Sequence, residues 1–144
     1  MTASSLFSIF NMLALAGWLI LAVGIVLRQP WLRDTLCGLY IPVAFSAGYT
    51  ILIALFFAGA PGGFDTLENV QLLFTSPWAA LAGWVHYLAF DLFVGARIAR
   101  GMEEQGLPRW PLVALLPLTF LFGPIGYLAF EILKATNRRL KAAS

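Results

Sequence analysis

Cysteine, histidine and charge are all scarce in this chain. It has one cysteine, Cys37, and one histidine, His86, among 144 residues. A lone cysteine cannot close an intramolecular disulfide, and no spaced set of cysteines and histidines suggests zinc or an iron–sulfur cluster, so no metal site is expected. There is no glycine-rich phosphate loop, no nucleophile elbow and no histidine cluster of the kind that holds haem or a diiron centre, so no cofactor is expected. Charged residues make up 11% of the chain, against about a quarter in an ordinary soluble domain. The net charge of +2 is too small to argue for nucleic acid, and the basic residues gather beside apolar runs, where topology explains them better. The N-terminus lacks the basic region of a cleaved signal peptide, and its apolar run is too long for one, so it reads as a retained first span.

What the chain has in quantity is apolar surface: 60% of its residues are hydrophobic and the mean hydropathy is +0.84. The runs are about twenty residues long and continuously apolar, which fits membrane-spanning helices and not the alternating strands of a barrel. The expected fold is all-α: one polytopic transmembrane helical bundle of four spans, at about 6–27, 36–58, 78–96 and 111–133, with a short interfacial helix at about 65–75. The link Arg28 to Asp34 (RQPWLRD) reads as a tight turn, and Pro42 as a kink in the second span. In FDTLENVQLLF (Phe64 to Phe74), apolar residues at helical spacing oppose Asp65, Glu68, Asn69 and Gln71, with Asp65 as the expected N-cap. Ser76 and Pro77 form a cap and first-turn pair for the third span.

The fourth run is broken by Pro117 and by FGPIG at Phe122 to Gly126. With four crossings, Arg28, Arg33, Arg97, Arg100 and Arg109 fall on one side and Lys134, Arg138, Arg139 and Lys141 on the other, a near tie under the positive-inside rule. A re-entrant fourth segment would put all nine basic residues on the cytoplasmic side. A kinked crossing is preferred, because Pro is tolerated in membrane helices and the run is long enough to span.

Ionisable groups within a span are functional candidates by default. The third span holds two, His86 and Asp91, in WVHYLAFDLFVG (Trp84 to Gly95). Five residues apart on a helix, they lie roughly 140° from each other and so face adjacent walls or different gaps. By helical rise, Ser46 and Tyr49 are level with His86, and Tyr40 with Asp91. A purely structural role is the alternative: His86 bonded to a hydroxyl of a neighbouring helix, and Asp91 accepting from Tyr40 or paired with a loop arginine. Asn11 reads as an interhelical hydrogen-bond former, and Glu131 as a partner of Lys134.

The segments GGFDTLENVQLLFTSPWAALAGWVHYLAFDLFVGARIARG and LTFLFGPIGYLAF resemble the abscisic-acid-deficient-4-like family, whose plant members are associated with neoxanthin synthesis. The resemblance rests on Trp84, His86, Asp91, Leu92 and Phe93, with Gly123, Pro124 and Gly126, and more loosely on Pro42 and Tyr49. It implies an integral membrane protein that isomerises an epoxy-carotenoid or a related apolar substrate. His86 and Asp91 would be the acid–base pair, with Trp84, Tyr87, Phe93, Tyr49, Ser46 and Tyr40 around the substrate. The implied partners are membrane lipid, a carotenoid or other long apolar molecule, and a membrane-protein complex or a second copy of the chain. The implied location is a bacterial inner (cytoplasmic) membrane. The alternative is a non-enzymatic carotenoid- or lipid-binding module, or a small subunit of a pigment complex.

Overall fold

A computed structural model describes residues 1–143. Six helices follow one another: α1 (Ala3–Val26), α2 (Trp31–Phe56), α3 (Leu67–Leu73), α4 (Pro77–Glu104), α5 (Leu112–Phe122) and α6 (Pro124–Ala143). Among the described residues there is no strand. Three helices, α1, α2 and α4, are long and apolar enough to cross a membrane. Their outer faces carry exposed Met12, Leu13, Leu19, Val43, Ile51 and Phe90, as lipid-facing surfaces do.

The central element is α4. Thr2, Thr66 and Ser76 cap α1, α3 and α4 through their side-chain oxygens, each satisfying a backbone donor that the first helical turn leaves free. The cap of α3 is therefore Thr66, not Asp65, which instead accepts from the Asn69 amide at 2.9 Å. The Asn69 amide holds the Asp65 carboxyl below the usual carboxylate range.

The Arg28 to Asp34 link is also tighter than its sequence suggests. Arg28 has a left-handed backbone, φ 55°, and the Gln29 N–H bonds back to the Gly24 carbonyl at 2.8 Å, closing α1 in a Schellman-like bend. The chain is helical again from Trp31. As far as Tyr40 this helix is wound as a π-helix, with Ile41 N–H bonding to the Leu36 carbonyl five residues back. The wide turns end at Pro42, which has no N–H to donate and whose ring would crowd the carbonyl four residues earlier in an α-helix. Arg33 grips Asp34 through two bonds of 2.7 Å and also reaches Glu103 on α4, which locks this end of α2 to α4.

The fourth apolar run does not form one crossing helix. It breaks at Gly123, whose φ of 39° and ψ of −87° reverse the chain. A Cβ on Gly126 would lie 2.6 Å from the Thr119 nitrogen and 2.8 Å from its Cα, whereas residues seven apart in a straight helix are separated by about 10 Å along the axis. So α5 and α6 form a hairpin. Its outer end lies beside the end of α4, where Arg138 donates to the Gln105 side chain at 3.1 Å and Lys141 to the Gln105 carbonyl at 3.2 Å. Its tip lies at Asp91, against which a Cβ on Gly123 would stand 2.5 Å from Oδ1. The eleven residues of α5 rise about 16 Å, half of a hydrocarbon core.

Candidate functional site

Two gaps flank α4, and they divide the polar residues of the third span between them. In the first, between α2 and α4, the His86 ring is exposed at the bundle surface. It contacts Tyr49 at a ring-centroid distance of 5.5 Å and Phe90 at 4.7 Å, and no side-chain or backbone hydrogen bond to it is formed among the described residues. On the other side of Phe90 runs an open groove of about 180 Å³ lined by Gly38, Pro42, Val43, Ser46, Phe90 and Phe93, with His86 and Tyr49 outside its wall. Ser46, in the groove wall, donates to the Pro42 carbonyl at 2.8 Å, so its proton is spent within α2. Phe90 was not among the sequence candidates, although it stands four residues after His86, on the same helical stripe.

In the second gap, toward α1 and the α5–α6 hairpin, Asp91 is buried at 6% exposure. Among the described residues its Oδ2 has no hydrogen-bond partner of ordinary geometry, and neither has the buried Nε1 of Trp18, although the Tyr87 hydroxyl is near enough to the carboxyl to interact with it. Trp18 packs over Gly95, where a Cβ would come 2.6 Å from its ring, and meets Phe120 edge-on at 5.4 Å. Tyr87, one turn before Asp91, donates its hydroxyl to the Phe120 carbonyl at 3.1 Å. The carboxyl thus sits at the bend of the hairpin, beside the start of α6, whose N-terminal dipole favours negative charge.

Of the expected site residues, His86, Tyr49, Ser46 and Phe93 gather on the α2 side, and Asp91 and Tyr87 on the other. Trp84 faces α1 and touches the second group only through Tyr87: its Nε1 donates to Asn11 Oδ1 at 2.8 Å, and its ring meets Phe7 and stacks on Tyr87. Asn11 is therefore an interhelical hydrogen-bond former, as its place in an apolar run suggests. Tyr40 is exposed and does not reach Asp91, and no arginine pairs with that carboxyl. The levels hold, since Tyr49 meets His86 and Gly38 stands against Ala96 on either side of Tyr40, but the Tyr40 side chain is on the exposed face of α2. Gly123 is the neighbour of Asp91 that helical rise could not find, because it arrives from the tip of a hairpin. Glu131 does pair with Lys134, at 2.5 Å. Among the described residues, no three His, Cys, Asp or Glu side chains converge as metal ligands.

Comparison with known proteins gives one family. The ABA DEFICIENT 4-like family matches residues 5–130. No curated protein and no solved structure matches the chain. The match takes in every span and both sides of α4, and the chain belongs to the ABA DEFICIENT 4-like family.

Proposed function

We propose that this ABA DEFICIENT 4-like protein is a membrane-embedded isomerase of an epoxy-carotenoid or a related apolar substrate, working by proton transfer at His86. The observation that supports this is the groove between α2 and α4. It is apolar and open at the bundle surface, its wall residue Phe90 touches the ring of His86, the only histidine in the sequence, and among the described residues that imidazole makes no hydrogen bond. A long apolar substrate would lie along Pro42, Val43, Phe90 and Phe93, with its reacting end at His86 and Tyr49.

The chemistry asks little of the protein. Opening an epoxide needs a proton delivered to its oxygen, and forming an allene needs a vinylic proton removed from carbon. One proton enters and one leaves, so the product is an isomer and no electrons are exchanged. A single imidazole serves both steps, as imidazolium toward oxygen and as neutral base toward carbon. Asp91 is the second acid–base candidate, and it faces the other gap. That separation favours a second reading, in which the protein binds a carotenoid or lipid without transforming it, alone or as a small subunit of a pigment complex.

Pigment analysis in a carotenoid-producing host separates the two, using wild type, His86→Ala and Asp91→Asn at matched protein levels. The isomerase reading expects a new pigment with wild type and none with His86→Ala. An unchanged pigment profile with all three proteins would leave the binding reading in place. Product formation that survives His86→Ala but not Asp91→Asn would move the chemistry to the hairpin side.

A further inference from the structure

The nine basic residues are gathered at one end of the bundle by the hairpin, and four of them do more than decorate it. Arg97 and Arg100 on α4, with Lys134 and Arg138 on α6, line a cleft of about 300 Å³ whose other walls include Tyr127 and Phe130. Two acids, Glu104 and Glu131, are in the same cleft. Each is already committed: Glu104 to Arg100 at 2.7 Å, and Glu131 to Lys134 at 2.5 Å. Arg138 has only the neutral Gln105 side chain as its hydrogen-bond partner, and Arg97 makes no ion pair or hydrogen bond among the described residues. Two guanidinium groups therefore face a polar cleft with charge to spare.

The cleft is also placed at a particular depth. Along α6, Tyr127 is near the hairpin tip and Arg138 is level with Gln105, so the cleft rises from the apolar interior of the bundle to its charged end. Its floor is the contact of Phe130 on Gly101. An occupant therefore meets guanidinium groups at one end and aromatic surface at the other. Arginine suits phosphate oxygens, because its planar fork donates two parallel hydrogen bonds. Basic pockets between helices on the cytoplasmic side of a membrane hold anionic lipid head groups for this reason.

We propose that the α4–α6 cleft binds the phosphate head group of an anionic phospholipid, held by Arg97 and Arg138, with the acyl chains descending past Tyr127. This site is separate from the His86 groove and does not depend on what that groove transforms.

The test uses detergent-solubilised, delipidated full-length protein and radiolabelled phosphatidylglycerol or phosphatidylcholine, with retained lipid counted after gel filtration. Wild type should keep at least about fivefold more phosphatidylglycerol than phosphatidylcholine, a factor typical of one or two charge-assisted contacts. Arg97→Gln combined with Arg138→Gln should lower phosphatidylglycerol to the phosphatidylcholine level, whereas Arg28→Gln, at the same end but outside the cleft, should behave as wild type. Equal retention of the two lipids, or full retention of phosphatidylglycerol by the double variant, would overturn the proposal. So would displacement of the lipid by an equal concentration of inorganic phosphate, which would mark a site for soluble anions. If the double variant does not fold, the salt dependence of wild type decides. Phosphatidylglycerol should be lost at high salt and phosphatidylcholine kept, and a salt-insensitive phosphatidylglycerol complex would sink the idea.

Discussion

On the side of α4 that meets α1, α5 and α6, small residues let large ones approach: Gly95 receives Trp18, Gly101 receives Phe130, and Gly123 lies against Asp91. On the side that meets α2, Phe45 and Leu52 pack against Leu81, Val85, Leu88 and Ala89, and only along Pro42, Val43, Phe90 and Phe93 is space left at the surface of that contact. In lipid, apolar side chains gain little by leaving one hydrocarbon surface for another, so helices associate where shape lets backbones come close. The contrast shows how one helix serves both as an anchor and as the wall of an opening. Glycine admits the large side chains on the first side, whereas on the second the close packing of larger side chains is interrupted by the groove.

The sharpest way to break this contrast is at the bend. Gly123→Val would place a β-branched residue at a positive φ and drive its side chain toward Asp91. It is expected to cost about 3 kcal/mol or more, seen as a lower Tm and loss of monodisperse protein. A wild-type melting curve would mean that the hairpin is not held as described. Asn11→Ala removes the hydrogen bond to Trp84, and a loss of about 1 kcal/mol is expected. If the variant matches wild type in thermal stability, that bond does not anchor α1.

Asp91→Leu tests whether the buried carboxyl is there for stability. Because its Oδ2 is unpaired, an apolar side chain of similar size should leave stability within about 1 kcal/mol of wild type. A larger loss would show that Asp91 fastens the hairpin and would weaken its candidacy in proton transfer. The smallest effect lies outside the bundle. The folded Asp65 carboxyl titrates below its unfolded value, so its contribution to the loop before α3 is present above about pH 4 and is lost as pH falls through the folded pKa. The protection factor of the Asn69 backbone amide, its exchange rate referred to the intrinsic rate at each pH, should fall slightly at pH 3 relative to pH 6 in wild type, and not in Asp65→Ala.

Much of this architecture can be read directly from residue order. Runs of about twenty apolar residues mark α1, α2 and α4 because span length is set by the bilayer, and Ser76–Pro77 announces the start of α4 chemically. The division of His86 from Asp91 follows from helical geometry alone. The hairpin is half legible: FGPIG and the tie in basic residues both point to it, but 23 apolar residues are also long enough to cross with a kink. What decides between them is the backbone at Gly123 and the close passage of Gly126 over Thr119, and neither leaves a trace in hydropathy. The π-helical start of α2 was hidden for a related reason. Pro30 in RQPWLRD suggests a turn, whereas the chain turns just before it and resumes as a helix wide enough to admit Pro42.

The hairpin also bears on the order in which the molecule is made. Helices α1, α2 and α4 precede α5 in the chain, and their contacts with one another require no residue of the hairpin. The faces of α4 around Gly101 and Asp91 are covered by a hairpin that turns back at Gly123 and returns to the end of α4. The hairpin thus completes the bundle as a short apolar wedge, and the seat of that wedge is Asp91.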